Sequence, residues 1–195
     1  MFIPTREAVL DISPTDFEKY ALSVLREQCN GLDNVAFQHN RIIVTDDGNY
    51  QIDGYVEFEI MGLKFKSIVE CKHYRTSISR EKVQVLFDKV RATGAHKGIL
   101  VSSSNFQAGA IEYASKHGIA LIQLTDAGVE LETRQQHPYR VIMNKPHVPG
   151  NFGCHYIGVM QYINGGGIGC SYLSRTNLFL RDFLMAQSRA QDRDV

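Results

Sequence analysis

The chain has no tryptophan, five prolines and four cysteines in 195 residues, and its formal net charge is zero. Cys29, Cys71, Cys154 and Cys170 are scattered and form no C-x-x-C pair, so reduced thiols in a cytoplasmic protein are expected rather than a disulfide framework. His137, His147, Cys154, His155 and Cys170 match no standard zinc spacing. No apolar run approaches the roughly 20 residues that cross a bilayer. Met1 to Glu7 lacks a basic region followed by an apolar one, so no secretory leader is expected. Internal repeats and low-complexity tracts are absent too. Gly165-Gly166-Gly167-Ile168-Gly169 lacks the Gly-Lys-Ser/Thr of a phosphate loop and reads as the turn of a hairpin.

Zero net charge excludes a uniformly basic nucleic-acid binder, but the charge is unevenly spread. Residues 1–59 carry 4 basic and 11 acidic side chains, and residues 60–97 carry 9 and 3. A local positive block of this kind suits phosphate contact, and a whole-chain sum hides it. The plain alternative is a solvated helix face.

Hydrophobic content of 44% in a chain of this length suits one compact domain, with a possible appendage. Ser13-Pro14-Thr15-Asp16 is a helix start, followed by Phe17, Tyr20, Ala21, Val24 and Leu25 at helical spacing. Val35 to Phe37 and Ile42 to Val44 are short strand candidates. Ser79 begins a second helix with Val83, Leu86, Phe87 and Val90 inward, closed at Gly94. Gly98 to Val101 and Ile119 to Leu124 are continuous apolar runs, as in strands covered on both faces. A helix starting at Ser104 or Asn105 joins them, which predicts a parallel pair. His155 to Ile163 and Ile168 to Leu173 form a second hairpin candidate, and Thr176 to Met185 a last helix.

Between residues 52 and 72 the pattern alternates with period two. Ile52, Val56, Phe58 and Ile60 fall on one face of a first strand, and Asp53, Tyr55, Glu57 and Glu59 on the other. Leu63, Phe65, Val69 and Cys71 alternate with Lys64, Lys66, Ile68, Glu70 and Lys72 on a second. A two-residue Met61-Gly62 turn pairs Ile60 with Leu63. That register sets Glu59 opposite Lys64, Glu57 opposite Lys66 and Asp53 opposite Glu70. Two facing carboxylates are unfavourable alone, and Lys72 shares the face of Glu70. A divalent cation with a phosphate accounts for the cluster. Residue types alone leave open a pair of exposed acids neutralised by nearby lysines.

Asp53, then Glu70-Cys71-Lys72 on the next strand, is similar to the core of the PD-(D/E)xK nuclease superfamily, and the chain resembles its Mrr-like restriction endonuclease branch. The resemblance spans about residues 15–125. It includes Phe17-Glu18, Ile52-Asp53-Gly54, Gln84 with Phe87, the segment Lys97 to Phe106, and the Ala110-x-x-Tyr113-Ala114 helix. It implies an α/β fold with a restriction-endonuclease-like core, a central mixed β-sheet flanked by helices, in residues 1–130, and a C-terminal β/α appendage in 131–195. It further implies metal-dependent hydrolysis of DNA phosphodiesters, in restriction, defence or DNA processing. Asp53, Glu70, Lys72 and Gln84 would be catalytic. Asp53, Glu70, the Cys71 carbonyl and, in some relatives, an acid at the position of Glu18 would hold Mg²⁺, with Mn²⁺ able to substitute. Lys64, Lys66, Arg75, Arg80, Lys82 and Lys89 are the candidate phosphate contacts; His73 and Tyr74 lie next to the site. Two departures stand out. Ile, not proline, precedes Asp53, and no separate DNA-reading domain is visible. A homodimer, a partner subunit supplying specificity, or DNA contact by the 131–195 appendage would fill that gap. The competing readings are a nuclease selective for branched or single-stranded DNA, and a non-catalytic DNA-binding or assembly subunit.

Overall fold

The computed structural model describes residues 10, 12–29, 32–60, 62–126, 156–164, 167–173 and 180. In chain order the elements are α1 (Pro14–Gln28), β1 (Asp33–Thr45), β2 (Gly48–Ile60), β3 (Leu63–Lys72), α2 (Arg80–Ala92), β4 (Lys97–Ser102), α3 (Ala108–His117), β5 (Ile119–Asp126), β6 (Tyr156–Asn164) and β7 (Gly167–Leu173). The strands form one mixed sheet in the order β1 to β7. β3, β4 and β5 run parallel, and the remaining neighbours pair antiparallel. The parallel part is the part with a helix between strands, as a crossover requires.

Two apolar clusters lie on opposite faces of the sheet. α1 brings Phe17, Ala21, Leu22 and Leu25 onto Val56, Phe58, Val69, Ile99 and Ile122. α2 and α3 bring Val83, Leu86, Val90, Ala110, Ile111 and Ala114 onto Ile52, Ile68, Leu100 and Leu121. Successive residues of β4 and β5 serve the two clusters alternately, which is why those strands are apolar throughout. Leu180 is buried in the first cluster.

The helix ends follow their sequence signals in part. Ser13 caps α1 by accepting from the Asp16 N–H. Gly94 and Gly118, both at left-handed φ, close α2 and α3. The start of α3 differs from expectation: its N-cap is Gln107, not Ser104 or Asn105. The Ser104 hydroxyl and the Asn105 carbonyl are used elsewhere, on Thr76 and Ile78.

The β2–β3 hairpin keeps the expected register, with Ile60 opposite Leu63, Glu59 opposite Lys64 and Glu57 opposite Lys66. β1 is one strand of 13 residues rather than two short ones. The C-terminal hairpin forms with Asn164 opposite Gly167 and extends the sheet beyond β5. The expected boundary near residue 130 and all of the expected last helix but Leu180 lie outside the described residues.

Gly54 fixes how closely α1 approaches β2. A Cβ there would collide with Leu22 Cδ2 and come within 3.1 Å of Val69 Cβ. Gly54→Ala is therefore expected to cost about 1–3 kcal/mol, read as a lower urea midpoint with an unchanged slope.

A cavity of about 890 Å³ lies at the end of the sheet away from Asp53 and Glu70, lined by Leu25, Phe58, Phe65, Arg91 and Lys97 among others. Asp53, Glu70, Cys71, Lys72 and Lys89 are not among its lining residues.

Candidate active site

The regular ladder of β2 breaks at Asp53 on both sides. Toward β1, His39 pairs with Gly54 and Arg41 with Ile52, and the level between them, Asn40 and Asp53, is skipped. Asn40 has φ of 52°, in the left-handed region that asparagine tolerates better than most residues. Toward β3, the last ladder pair is Gly54 with Val69. The Cys71 N–H donates to Asp53 Oδ2 at 2.7 Å. β2 and β3 thus cease to pair as a ladder at the level of the two carboxylates. The expected facing of Asp53 and Glu70 is corrected accordingly: it would continue the register, but it is not a ladder pair. The face assignment of Ile52 is corrected too. It packs with Tyr55 and Ile68 beneath α2, while Val56 and Phe58 pack beneath α1. Strict alternation would put Ile52 with Val56; the irregular level at Asp53 switches the face.

Glu70 is 5% exposed. Its Oε2 lies 3.0 Å from Lys72 Nζ, and its Oε1 lies 2.6 Å from Lys89 Nζ. Lys89 also donates to the Gln51 carbonyl at 2.9 Å. A carboxylate this buried needs such partners to offset its lost hydration. Glu18, on α1, reaches His39 Nε2 at 2.8 Å. Phe17, beside it, stacks on His73 with centroids 5.0 Å apart.

Charge and burial act on these groups unequally. Burial raises the Asp53 pKa, and the Glu70 and Glu18 carboxylates add to the rise; the Cys71 N–H and Lys72 oppose it. Burial alone would lower the Lys72 pKa, but Glu70 and Asp53 outweigh it and the net shift is upward. Burial, then Asp53, Glu18 and Glu70, push the Cys71 thiol well above its ordinary value. The thiol therefore keeps its proton, and the hard oxygen donor that Cys71 offers is its carbonyl.

The raised Asp53 pKa carries a stability consequence. Below the unfolded-state value the carboxyl is protonated in both states and costs nothing. As pH rises through that value and then the higher folded one, ionisation increasingly favours the unfolded chain. Asp53→Asn, which keeps an acceptor for the Cys71 N–H, should raise the Tm at pH 7 in EDTA. The gain should shrink as pH falls toward 4, and thermal melts across that range check it.

The loop after Lys72 is pinned by the end of β4. The Ser103 N–H donates to the Lys72 carbonyl at 3.1 Å and the Ser103 hydroxyl to the Tyr74 carbonyl at 3.0 Å. The Ser104 hydroxyl donates to the Thr76 carbonyl at 2.7 Å. The Ile78 N–H then bonds the Asn105 carbonyl at 2.8 Å. The Ser-Ser-Ser-Asn run of the sequence is a clamp on this loop.

Of the residues expected at the site, Asp53 is bonded to the Cys71 N–H and Glu70 to Lys72, and the Glu18 charge acts on Asp53 and Cys71. Gln84 is exposed on α2. It sits roughly 140° around the helix from Lys89, on the flank where Arg80 and Phe87 meet Tyr113 of α3. Lys89, expected to contact DNA phosphates, instead turns onto Glu70. Lys64 and Lys66 are exposed but lie six and four positions before Glu70, roughly 20 and 13 Å along the strand. Arg80 stacks over Tyr113 at 5.0 Å, and Lys82 lies 3.6 Å from Glu81. Arg75 is exposed, three residues past Lys72. Sequence reasoning missed His39 and the inward role of Lys89; the acid at Glu18 was a signal for His39, whereas Lys89 lies off the α2 stripe and had none.

Among the described residues no three His, Cys, Asp or Glu side chains converge as a ready-made metal site. Two carboxylates and a carbonyl nevertheless suit Mg²⁺, which keeps several waters and shares substrate oxygens.

A mixed sheet that opens between an aspartate strand and a Glu-x-Lys strand, with helices on both faces, is the framework of restriction-endonuclease-like nucleases. The family model Mrr_cat, described as a restriction endonuclease, matches residues 9–127, and the chain belongs to that family. Three solved structures are similar at low identity. One is a protein of unknown function, AF1548, at 18% identity and TM-score 0.47, covering 56% of this chain and 57% of that one. Another is Can2 from Sulfobacillus thermosulfidooxidans in complex with cyclic tetra-adenylate, at 21% and 0.42, covering 54% and 31%. A third is the DNA modification-dependent restriction endonuclease AspBHI, at 17% and 0.43, covering 61% and 33%. The chain spans between about a third and just over half of the length of these structures. No curated protein matches it.

Proposed function

We propose that this protein is a divalent-metal-dependent DNA endonuclease whose site is the opening between β2 and β3. The carrying observation is the Glu70 carboxylate, 5% exposed yet ionically paired, beside the half-buried Asp53 and within 3.0 Å of Lys72. Asp53, Glu70 and the Cys71 carbonyl would hold Mg²⁺, or Mn²⁺ in its place, with Glu18 beside them. The cation would polarise the scissile phosphate and make a water more acidic. Lys72 keeps its proton in this field, which favours a role as a donor that orients the attacking water and offsets charge growing on the phosphate. The backbone bond from Cys71 to Asp53 and the serine clamp on the following loop hold these groups in place, so little is spent on ordering them during reaction.

Arg75, close after Lys72, is the best placed of the exposed cations to contact the DNA backbone. Such contacts position DNA without reading it; a second copy of the chain, a partner subunit or DNA contact by the 131–195 appendage would supply target choice. Gln84, exposed on α2, would orient the water or the phosphate from the neighbouring helix. Incubation of plasmid, linear, methylated and branched DNA with Mg²⁺ or Mn²⁺, beside a Lys72→Ala control, tests the reading. Cleavage by the wild type and none by the control supports it. A folded wild type that binds DNA and cuts no form of it supports the non-catalytic subunit instead.

A further inference from the structure

Lys89 is not required by a site of two carboxylates and one lysine, yet it makes the shorter of the two ion pairs to Glu70, at 2.6 Å. It comes from α2, on the far side of the strand pair from α1 and Glu18. Its second bond, to the Gln51 carbonyl at 2.9 Å, reaches β2 beyond the point where the β2–β3 ladder stops. One ammonium therefore spans the opening between the Asp53 strand and the Glu70 strand. It also sits on one of the oxygens that a cation would use.

We propose that Lys89 is an internal counter-cation of this site, occupying Glu70 in the free protein and competing with the divalent ion, so that metal binds weakly until DNA phosphate is present. The inference rests on the metal-dependent reading above. Two ammoniums on one nearly buried carboxylate neutralise it and repel an incoming divalent charge. Entering phosphate groups supply negative charge beside that cation, and offset the repulsion. Cation loading and DNA binding are thereby coupled through a charge the chain carries itself. Lys89 acts through Glu70 and is a positioning residue, with no contact to the reacting atoms assigned to it.

The test is Mn²⁺ affinity of the full chain without DNA, by calorimetry or by loss of the free-ion electron-resonance signal. Lys89→Met should bind Mn²⁺ about tenfold more tightly than wild type, because a like charge beside the ligand has been removed. Its cleavage rate at saturating Mn²⁺ should nonetheless fall, because the opening has lost its tie. Lys89→Arg should keep the weak affinity. If Lys89→Met does not fold, Lys89→Gln keeps a donor for the Gln51 carbonyl without the charge and carries the same expectation. A purely structural role predicts looser Mn²⁺ binding, so unchanged or weaker affinity in the folded variant overturns the proposal. The affinity shift without any DNA cleavage by wild type would count against the nuclease reading and leave this one standing.

Discussion

Lys72→Met is expected to lower the rate of DNA cleavage by about 10²–10³-fold or more, the scale seen when one preorganised donor to a developing charge is removed. Methionine fills the volume of the lysine stem without its charge. Glu70 retains Lys89 at Oε1 after the change, so the carboxylate is not left without a counter-ion. The variant should therefore fold, with a Tm within a few degrees of wild type. Burst kinetics on a nicked or supercoiled substrate would place the loss in the chemical step. The same substitution tests the pairing from the other side. The raised Lys72 pKa means that its pairing supports the fold at neutral pH and ceases to do so as pH rises through the folded value, in the alkaline range. Any stability difference between wild type and Lys72→Met should fade there.

Phe17→Ala is expected to destabilise the fold by about 3–5 kcal/mol. Phe17 is 0% exposed and sits at the centre of the cluster between α1 and the sheet. For a chain of this size that corresponds to a fall in Tm of roughly 6–20 °C. The effect should reach the site, because Phe17 stacks on His73, next to Lys72, and precedes Glu18. Phe17→Leu, which refills most of the volume, should recover much of the stability without restoring the ring contact. If cleavage at a temperature where both variants are folded follows the ring rather than the volume, α1 positions the loop after Lys72. If both cut at the wild-type rate, α1 is support alone.

The hairpin shows what could be read from sequence and where that reading ends. Alternation and a two-residue turn suffice to place Glu59 against Lys64 and Glu57 against Lys66, since regular register is a local property. The break at Asp53 is not local. It needs Asn40 on β1 in a left-handed conformation and a side chain of β2 capturing a backbone donor of β3. Neither leaves a mark in a two-residue period. The pattern therefore placed Ile52 on the wrong face while still naming Asp53 and Glu70. On α2 the inward stripe of Val83, Leu86 and Val90 was legible. The flank that meets β2 was not, because it depends on the rotation of the helix over the sheet. Lys89 and Gln84 are both polar residues off the stripe, and only the rotation separates an ion pair with Glu70 from an exposed position beside α3.

The serine run after β4 was equally opaque. Ser104 and Asn105 have the chemistry of helix caps, and sequence alone offers them that role. In the fold their groups satisfy Thr76 and Ile78, and Gln107 begins α3. Long-range hydrogen bonds won over a local preference, and the loop they hold follows directly on Lys72.

The most direct test is relaxation of supercoiled plasmid by the purified chain in Mg²⁺ or Mn²⁺, measured beside Lys72→Met and an EDTA control. The site described here predicts nicked or linear DNA with wild type and metal, and neither with the variant or the chelator. Equal cleavage by wild type and Lys72→Met, or cleavage that persists in EDTA, would contradict it.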